Sequence, residues 1–281
     1  MEKRIKILIL GISGMLGHQV YKYLNNEKIC KLSGVGKKKG FFDIDVNNFS
    51  ELKKILNKFK PNIVINCIGK LKNTNSSVED IYKTNSLLPK FLESYSHLLK
   101  FKVIHISTDC VFFGTKGNYK EKDFCDAKDH YGISKILGEI KSQNVINIRT
   151  SIIGFETKKR KRGLLEWFFS QKTKIKGYSS AFFSGLTTLE LSEILYKYFI
   201  KNKKIFNYFL GSVVHISGPK ISKFNLLKLT SKIFNKKIKI IKSKKIKINR
   251  TLNSQKFQKY SGYNKKSWKL MLNTYKEYSK R

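Results

Sequence analysis

The stretch Ile5-Lys6-Ile7-Leu8-Ile9-Leu10-Gly11-Ile12-Ser13-Gly14-Met15-Leu16-Gly17 decides the fold class. Its first six residues are a nearly continuous apolar run of strand length, the pattern of a strand buried on both faces of a parallel sheet. The run ends at Gly11, and Met15–Leu24 then carries apolar residues at helical spacing. The G-x-x-G-x-x-G turn between them meets three physical needs at once. It turns tightly, lets the backbone approach a pyrophosphate, and packs the helix closely on the strand. The helix start then offers N–H donors and a positive dipole end to phosphates. A plain strand-to-helix turn also uses glycine, but in this context dinucleotide binding is the better reading. Gly11, Ser13, Gly14, Met15, Leu16 and Gly17 are therefore candidate cofactor contacts.

Outward from this unit the first half keeps an α/β rhythm. Ile29–Ser33 reads as a second strand. Ser50 reads as an N-cap with Glu51 in the first turn, and Leu52, Ile55, Leu56 and Phe59 form a helical stripe that stops before Pro61. Asn62–Cys67 is a further buried strand, Ile81–Leu99 a long helix, Val103–Ser107 a strand, Tyr131–Lys141 a helix and Val145–Arg149 a strand. This alternation predicts an α/β fold, a Rossmann-type doubly wound parallel sheet with right-handed crossovers. After Gly154 the rhythm changes. Lys158–Arg162 reads as an exposed basic loop, Leu164–Phe169 and Leu189–Phe199 as helices, and Val213–Ile216 as a short strand ended by Gly218-Pro219. Ile238–Ile248 alternates Lys and Ile loosely, as one or two half-buried strands would. The expected division is a dinucleotide-binding domain over 1–154, to which segments near 186–217 return, and a smaller substrate lobe over 155–281.

The formal charge of +39 in 281 residues invites a nucleic-acid reading. The way the charge is made argues against it: only six of the 58 basic residues are Arg, and the lysines are spread along the whole chain. Such a field still attracts a small anionic substrate. Cys30, Cys67, Cys110 and Cys125 lie scattered, without a C-x-x-C pair or histidines at metal spacing, so no metal site is expected. No apolar run is long enough to span a membrane, and the chain reads as a cytoplasmic protein with no membrane or nucleic-acid partner.

Three further groups carry chemistry. The acidic residue that would hold a ribose 2′-hydroxyl about 20 residues after the glycine turn is missing; Ser33 and Gly34 stand there, followed by Lys37, Lys38 and Lys39. Lys37 and Lys38 would suit a 2′-phosphate and hence NADPH over NADH, although a solvated run in a lysine-rich chain reads the same. Tyr131 and Lys135, four apart on one helical face, can place an ammonium near a phenol and lower its pKa, making a general acid usable near neutral pH. Among 14 tyrosines only Tyr131 has Lys at that offset. Ser107-Thr108-Asp109 ends a strand, where ligands of open α/β sheets bind, and is equally readable as a turn or N-cap cluster.

In this order and at these spacings, the Gly11–Gly17 turn, Asn66-Cys67-Ile68-Gly69, Thr84-Asn85, Ser107-Thr108-Asp109-Cys110-Val111-Phe112, Tyr131–Lys135 and Arg149-Thr150-Ser151 resemble extended short-chain dehydrogenases/reductases. The chain is most similar to the dTDP-4-dehydrorhamnose reductase family, through S-T-D-x-V-F, Y-G-x-x-K and R-T-S. The likeness continues through Phe183-Ser184-Gly185-Leu186-Thr187-Thr188, His215-Ile216-Ser217-Gly218 and Arg250-Thr251-Leu252-Asn253. The resemblance implies NADPH, with NADH as the alternative, and a nucleotide-linked 4-keto-6-deoxy sugar of deoxysugar and surface polysaccharide biosynthesis. It implies Thr108, Tyr131 and Lys135 as the catalytic set: Tyr131 protonating the nascent alkoxide, Thr108 holding the carbonyl oxygen, Lys135 binding ribose hydroxyls and tuning Tyr131. It further implies Asp45 and Val46 flanking an adenine, and Cys67, Ile68 and Gly69 with Ser107 along the cofactor path. Asn85 would steady the site, and Thr150, Ser151 and Ile152 would run near the nicotinamide. Asp109, Val111, Ser184 and Arg250 are candidate substrate contacts, a homodimer is the expected assembly, and the likeness of Val213–Ile216 to the family's late strand implies that it returns as an edge strand of the main sheet. Cys67-Ile68-Gly69 replaces the commoner small alanine pair, and Cys110 stands where the rhamnose enzymes tend to have Tyr. Sugar-nucleotide dehydratases typically follow the Thr with an Asp-Glu pair; here Cys110 follows Asp109, which disfavours dehydration. An epimerase and a reductase-like regulatory subunit of the kind that accompanies methionine adenosyltransferase remain as rivals.

Overall fold

In the computed structural model, which describes residues 4–28, 30–36, 40–71, 76–157 and 163–279, Ile5–Leu10 forms β1, one strand in from the edge of a six-stranded sheet. The neighbours are β2 (Cys30–Val35), β3 (Ile63–Asn66), β4 (Lys102–Ile106) and β5 (Val145–Arg149). The sixth strand is Val213–His215, which pairs with β5 at the edge. The order is Val213–His215, β5, β4, β3, β1, β2, and every pairing is parallel. All four residues of β3 and all five of β5 are buried, as an apolar run without alternation requires when helices cover both faces.

Helix α1 (Met15–Asn26) follows the glycine turn. Gly11 has φ +85°, and a Cβ on Gly17 would lie 2.3 Å from the Gly11 carbonyl oxygen, so only glycine lets the helix meet the strand here. Helix α2 (Phe49–Phe59) is capped by Asn48, whose Oδ1 accepts from Glu51 N, and not by Ser50, which lies inside the first turn. Asn and Ser cap equally well, and the choice fell to the residue where the extended chain turns. The long helix expected over 81–99 begins earlier and is divided: α3 (Val78–Tyr82), a π-helical turn over Lys83–Leu87, and α4 (Leu88–Leu99). Pro89 has no N–H for the Asn85 carbonyl, which interrupts the ordinary i−4 ladder at this point. Helix α5 (His130–Leu137) is capped by Asp129 and is shorter than the stretch read to Lys141.

Beyond residue 150, Ile152–Ile153 pairs with Leu186–Thr187, and the helix Thr188–Ile194 packs against α1. Small sheets join Ala181–Phe183 to Ile221–Ser222 and Ile248–Asn249, and Ile175–Tyr178 to Ile240–Ser243. The helices Lys203–Phe209, Lys223–Ile233, Gln255–Ser261 and Trp268–Ser279 went unread in the sequence. Their lysines mask the apolar stripe, while Leu226, Leu227, Phe257, Met271 and Leu272 are buried. Among the described residues no helix is long and apolar enough to cross a membrane. The basic segment 158–162, with Lys37 and Lys38, lies outside the described residues.

Candidate active site

A cleft of about 590 Å³ opens at the carboxyl ends of β1, β3, β4 and β5, the edge at which ligands of open α/β sheets bind. It gathers Ser13, Gly14, Met15 and Leu16, then Cys67, Ile68 and Gly69, then Ser107, Thr108 and Asp109, with Tyr131, Lys135, Thr150, Ser151 and Ile152. Segments far apart in sequence thus meet in one cavity. Gly14 is the N-cap of α1 and has no side chain to satisfy the first N–H groups, so these donors and the helix dipole are available to an anion such as a pyrophosphate.

Thr108 unites both readings of the Ser-Thr-Asp cluster. It faces the cleft, and as N-cap of a short 3₁₀ turn over Asp109–Val111 its Oγ1 accepts from Cys110 N at 3.1 Å. Tyr131 is brought to it by Gly132. A Cβ there would lie 2.4 Å from Ala127 Cβ and 2.6 Å from the Cys110 carbonyl oxygen, so glycine allows α5 to seat against the turn. Burial pushes the Tyr131 phenol up, with Cys110 adding to this and the hydrogen bond with Thr108 opposing it. The phenol is therefore a protonated acid across the neutral range. This corrects the expected tuning by Lys135. The Lys135 ammonium instead donates to the Ile106 carbonyl at 2.8 Å, and Cys110, Thr108, Asp109 and Asp129 are the groups that act on the phenol. Burial lowers Lys135 to about 8, against the pull of Glu139 and Cys67.

Ser107 borders the cleft, but its hydroxyl proton goes to Glu139 Oε1 at 2.6 Å, so it offers a ligand only lone pairs. Burial raises the Asp109 carboxyl, partly countered by Arg250. Arg250 reaches from the C-terminal region to the same turn, with Nε donating to Phe112 O at 2.9 Å and Nη1 to Cys110 Sγ at 3.3 Å. Asn85, in the π turn, stands behind the cleft. Its Oδ1 accepts from Lys70 N at 2.9 Å, and its Nδ2 donates to Lys70 O and to Ser134 Oγ, both at 3.0 Å. It thereby ties the Gly69 loop to α5.

Besides Asn85 and Arg250, the expected contacts Gly11 and Gly17, which shape the turn, and Val111, Ser184, Asp45 and Val46 do not line the cavity. Val111 is fully buried with Phe112, Tyr119 and Leu252, an apolar side chain drawn into a small core. Ser184 is buried, and its Oγ accepts from Leu252 N at 2.8 Å. Asp45 accepts from Asn47 N at 2.9 Å in a local turn, and Val46 packs with the core around α2. Conversely Lys70, Glu156 and Thr157 line the cleft unforeseen, with Thr157 Oγ1 donating to Ser13 O at 2.6 Å. Nothing in their local sequence marks them, because a loop contact has no period. Glu139 was also missed, although its place four residues past Lys135 was a usable signal.

A family profile described as RmlD substrate binding domain matches residues 5–170. The chain is similar to a dTDP-4-dehydrorhamnose reductase of Aggregatibacter actinomycetemcomitans, 30% identical over 137 residues, 48% of this chain and 45% of that protein. It is also similar to methionine adenosyltransferase 2 subunit beta of Danio rerio, 26% identical over 144 residues, 48% of this chain and 42% of that one. The matched stretch thus spans less than half the length of these relatives. The crystal structure of the Bacillus anthracis dTDP-4-dehydrorhamnose reductase in complex with NADP superposes with a TM-score of 0.81 at 20% identity, over 98% of this chain and 100% of that one, a likeness of fold. With the profile spanning more than half of its length, the chain belongs to the RmlD substrate binding domain family.

Proposed function

We propose that the protein is an NADPH-dependent reductase of a nucleotide-linked 4-keto-6-deoxy sugar, acting in deoxysugar or surface polysaccharide biosynthesis. The observation that carries this reading is the convergence of Thr108, Tyr131 and Lys135 in one cleft. The cofactor fits the cleft's open N-terminus of α1 and its glycine cradle, and when bound it supplies the hydride. Met15 and Leu16 N–H groups would hold the pyrophosphate, and Lys135, with two N–H bonds left after Ile106, would hold ribose hydroxyls. Thr108 orients the ketone oxygen. Tyr131, protonated at neutral pH, gives its proton to that oxygen where charge develops. Residues 1–154 supply the cofactor side, and 155–281 mainly the sugar side, with Arg250 reaching over the Asp109 turn.

A second reading, a reductase-like subunit without turnover, is favoured by the likeness to methionine adenosyltransferase 2 subunit beta. The complete Thr108, Tyr131 and Lys135 set speaks for catalysis. A panel of nucleotide-linked 4-keto-6-deoxy sugars incubated with NADPH, followed by loss of nicotinamide absorbance, decides between them. Oxidation with one member is expected. Tight NADPH binding without oxidation by any member rejects the reductase in favour of the subunit.

A further inference from the structure

Below the cleft lies a closed set of buried polar groups that the reaction above does not use. Arg149 clamps the Glu139 carboxylate, Nε to Oε1 at 2.8 Å and Nη2 to Oε2 at 2.7 Å, and the two side chains are only 5% and 6% exposed. Ser107 Oγ donates to the same Oε1 and fixes it at the end of β4. On its far edge Arg149 donates from Nη1 to His215 Nε2 at 3.3 Å, and His215 Nδ1 donates to Tyr119 O at 3.0 Å. A guanidinium only donates, so Nε2 must accept and the ring proton lies on Nδ1. Glu139 is thus held from two sides by groups of assigned polarity.

Glu139 also stands four residues past Lys135, just beyond the end of α5. Lys135 is 2% exposed, and its ammonium donates to a neutral carbonyl, that of Ile106. An ammonium so buried sheds its proton unless an anion is near. Around it, the Cys67 thiol at the end of β3 is pushed up to about 12 by burial and the His105 imidazole on β4 is held neutral by burial and by Lys135 itself. Tyr131, on its own helix, stays a phenol. Glu139 is the one carboxylate acting on Lys135 among the described residues. Arg149 keeps that carboxylate occupied, so it supplies field without taking up the N–H bonds that a ligand needs.

We propose that Glu139, locked by Arg149, is a positioning residue that keeps Lys135 an ammonium with its donors free for the cleft. The inference rests on the reading of Lys135 as a cofactor-binding group. The test is an NMR titration of lysine side-chain carbons in the full chain without ligand, the Lys135 signal being identified by its loss in Lys135→Met. Glu139→Gln keeps an acceptor for Ser107 and removes the charge. Because it strands Arg149, the double variant Glu139→Gln/Arg149→Gln guards against misfolding. The wild-type midpoint is expected near about 8. It should fall by about one pH unit in Glu139→Gln and by less in the double variant, where the Arg149 cation goes with the carboxylate, whereas Glu139→Asp should keep most of the wild-type value. A one-unit fall leaves Lys135 about one-tenth protonated at pH 8 in place of half, so NADPH affinity there should drop about fivefold. An unchanged midpoint in a folded neutral variant overturns the proposal. A midpoint that moves in a protein that never binds NADPH upholds it and rejects the cofactor reading instead.

Discussion

The two faces of the central sheet differ sharply. One presents Ile7, Ile9, Ile63, Ile65, Ile104, Ile106, Ile146 and Ile148 to α1 and the helices of the second half, aliphatic from end to end. The other begins as aliphatic, with Leu8, Val64, Val103 and Val145 against α2 and α4. Toward the carboxyl ends it turns polar, with Asn66, His105, Ser107, Asn147, Arg149 and His215, all buried. Side chains alternate across a strand, so one register sends isoleucines one way and hydrogen-bonding groups the other. Asn66, His105 and Asn147 are register partners on adjacent strands. Asn66 Nδ2 donates to His105 Nδ1 at 3.1 Å, and Asn147 Nδ2 to Ile140 O at 2.9 Å. The first face supplies cohesion without direction. The second gives up apolar burial to hold the loops of the cleft at set angles.

The contrast breaks first at Arg149. Arg149→Met leaves the buried Glu139 charge alone and should cost about 3–5 kcal/mol in urea unfolding. A loss no greater than that of Ile148→Val would erase the distinction between the faces. Next comes Tyr131→Phe, which keeps the ring and removes the acid. Turnover should fall about 10²-fold or more, with NADPH affinity little changed; reduction at the wild-type rate rejects Tyr131 as proton donor.

The third effect is a pH dependence with two limbs. NADPH affinity should decline as pH rises through about 8, where Lys135 loses its proton. On the acid side, His215 is lowered to about 3, first by burial and then by Arg149. The unfolded chain takes up that proton near pH 6.5 while the native one resists it down to about 3. The unfolded state binds more protons across this window, so stability falls as pH falls through it. His215→Asn should flatten that slope in denaturant titrations between pH 7 and pH 5, and an unaltered slope counts against the assignment. The smallest effect is on the apolar face. Ile148→Val should cost about 0.5–1.5 kcal/mol and leave turnover untouched.

Most of the first half was legible because each strand is a short apolar run and each helix a clear stripe. Ile5–Leu10 and Val145–Arg149 fell at their observed bounds. Helices such as Lys223–Ile233 and Trp268–Ser279 were not, since polar residues flank the apolar stripe closely and Leu270 stands exposed outside it, which blurs the period. Tyr131 and Lys135 were singled out by their spacing and Thr108 by the family resemblance, and the fold brings all three into one cleft. Val111 and Ser184 were carried by motif alone, and packing turned the one into a small core and the other onto Leu252.

What the sequence by itself determined is the order of elements in the first half, the glycine turn and the pairing of Tyr131 with Lys135 on one helix, because these depend on neighbours within a few residues. Only tertiary structure decided the charge state and aim of those groups. Lys135 turns to Ile106, Ser107 gives its proton to Glu139, and burial governs Tyr131. Desolvation and buried ion pairs depend on what surrounds a group in space, and strands 39 residues apart, such as β3 and β4, become neighbours only when the sheet forms.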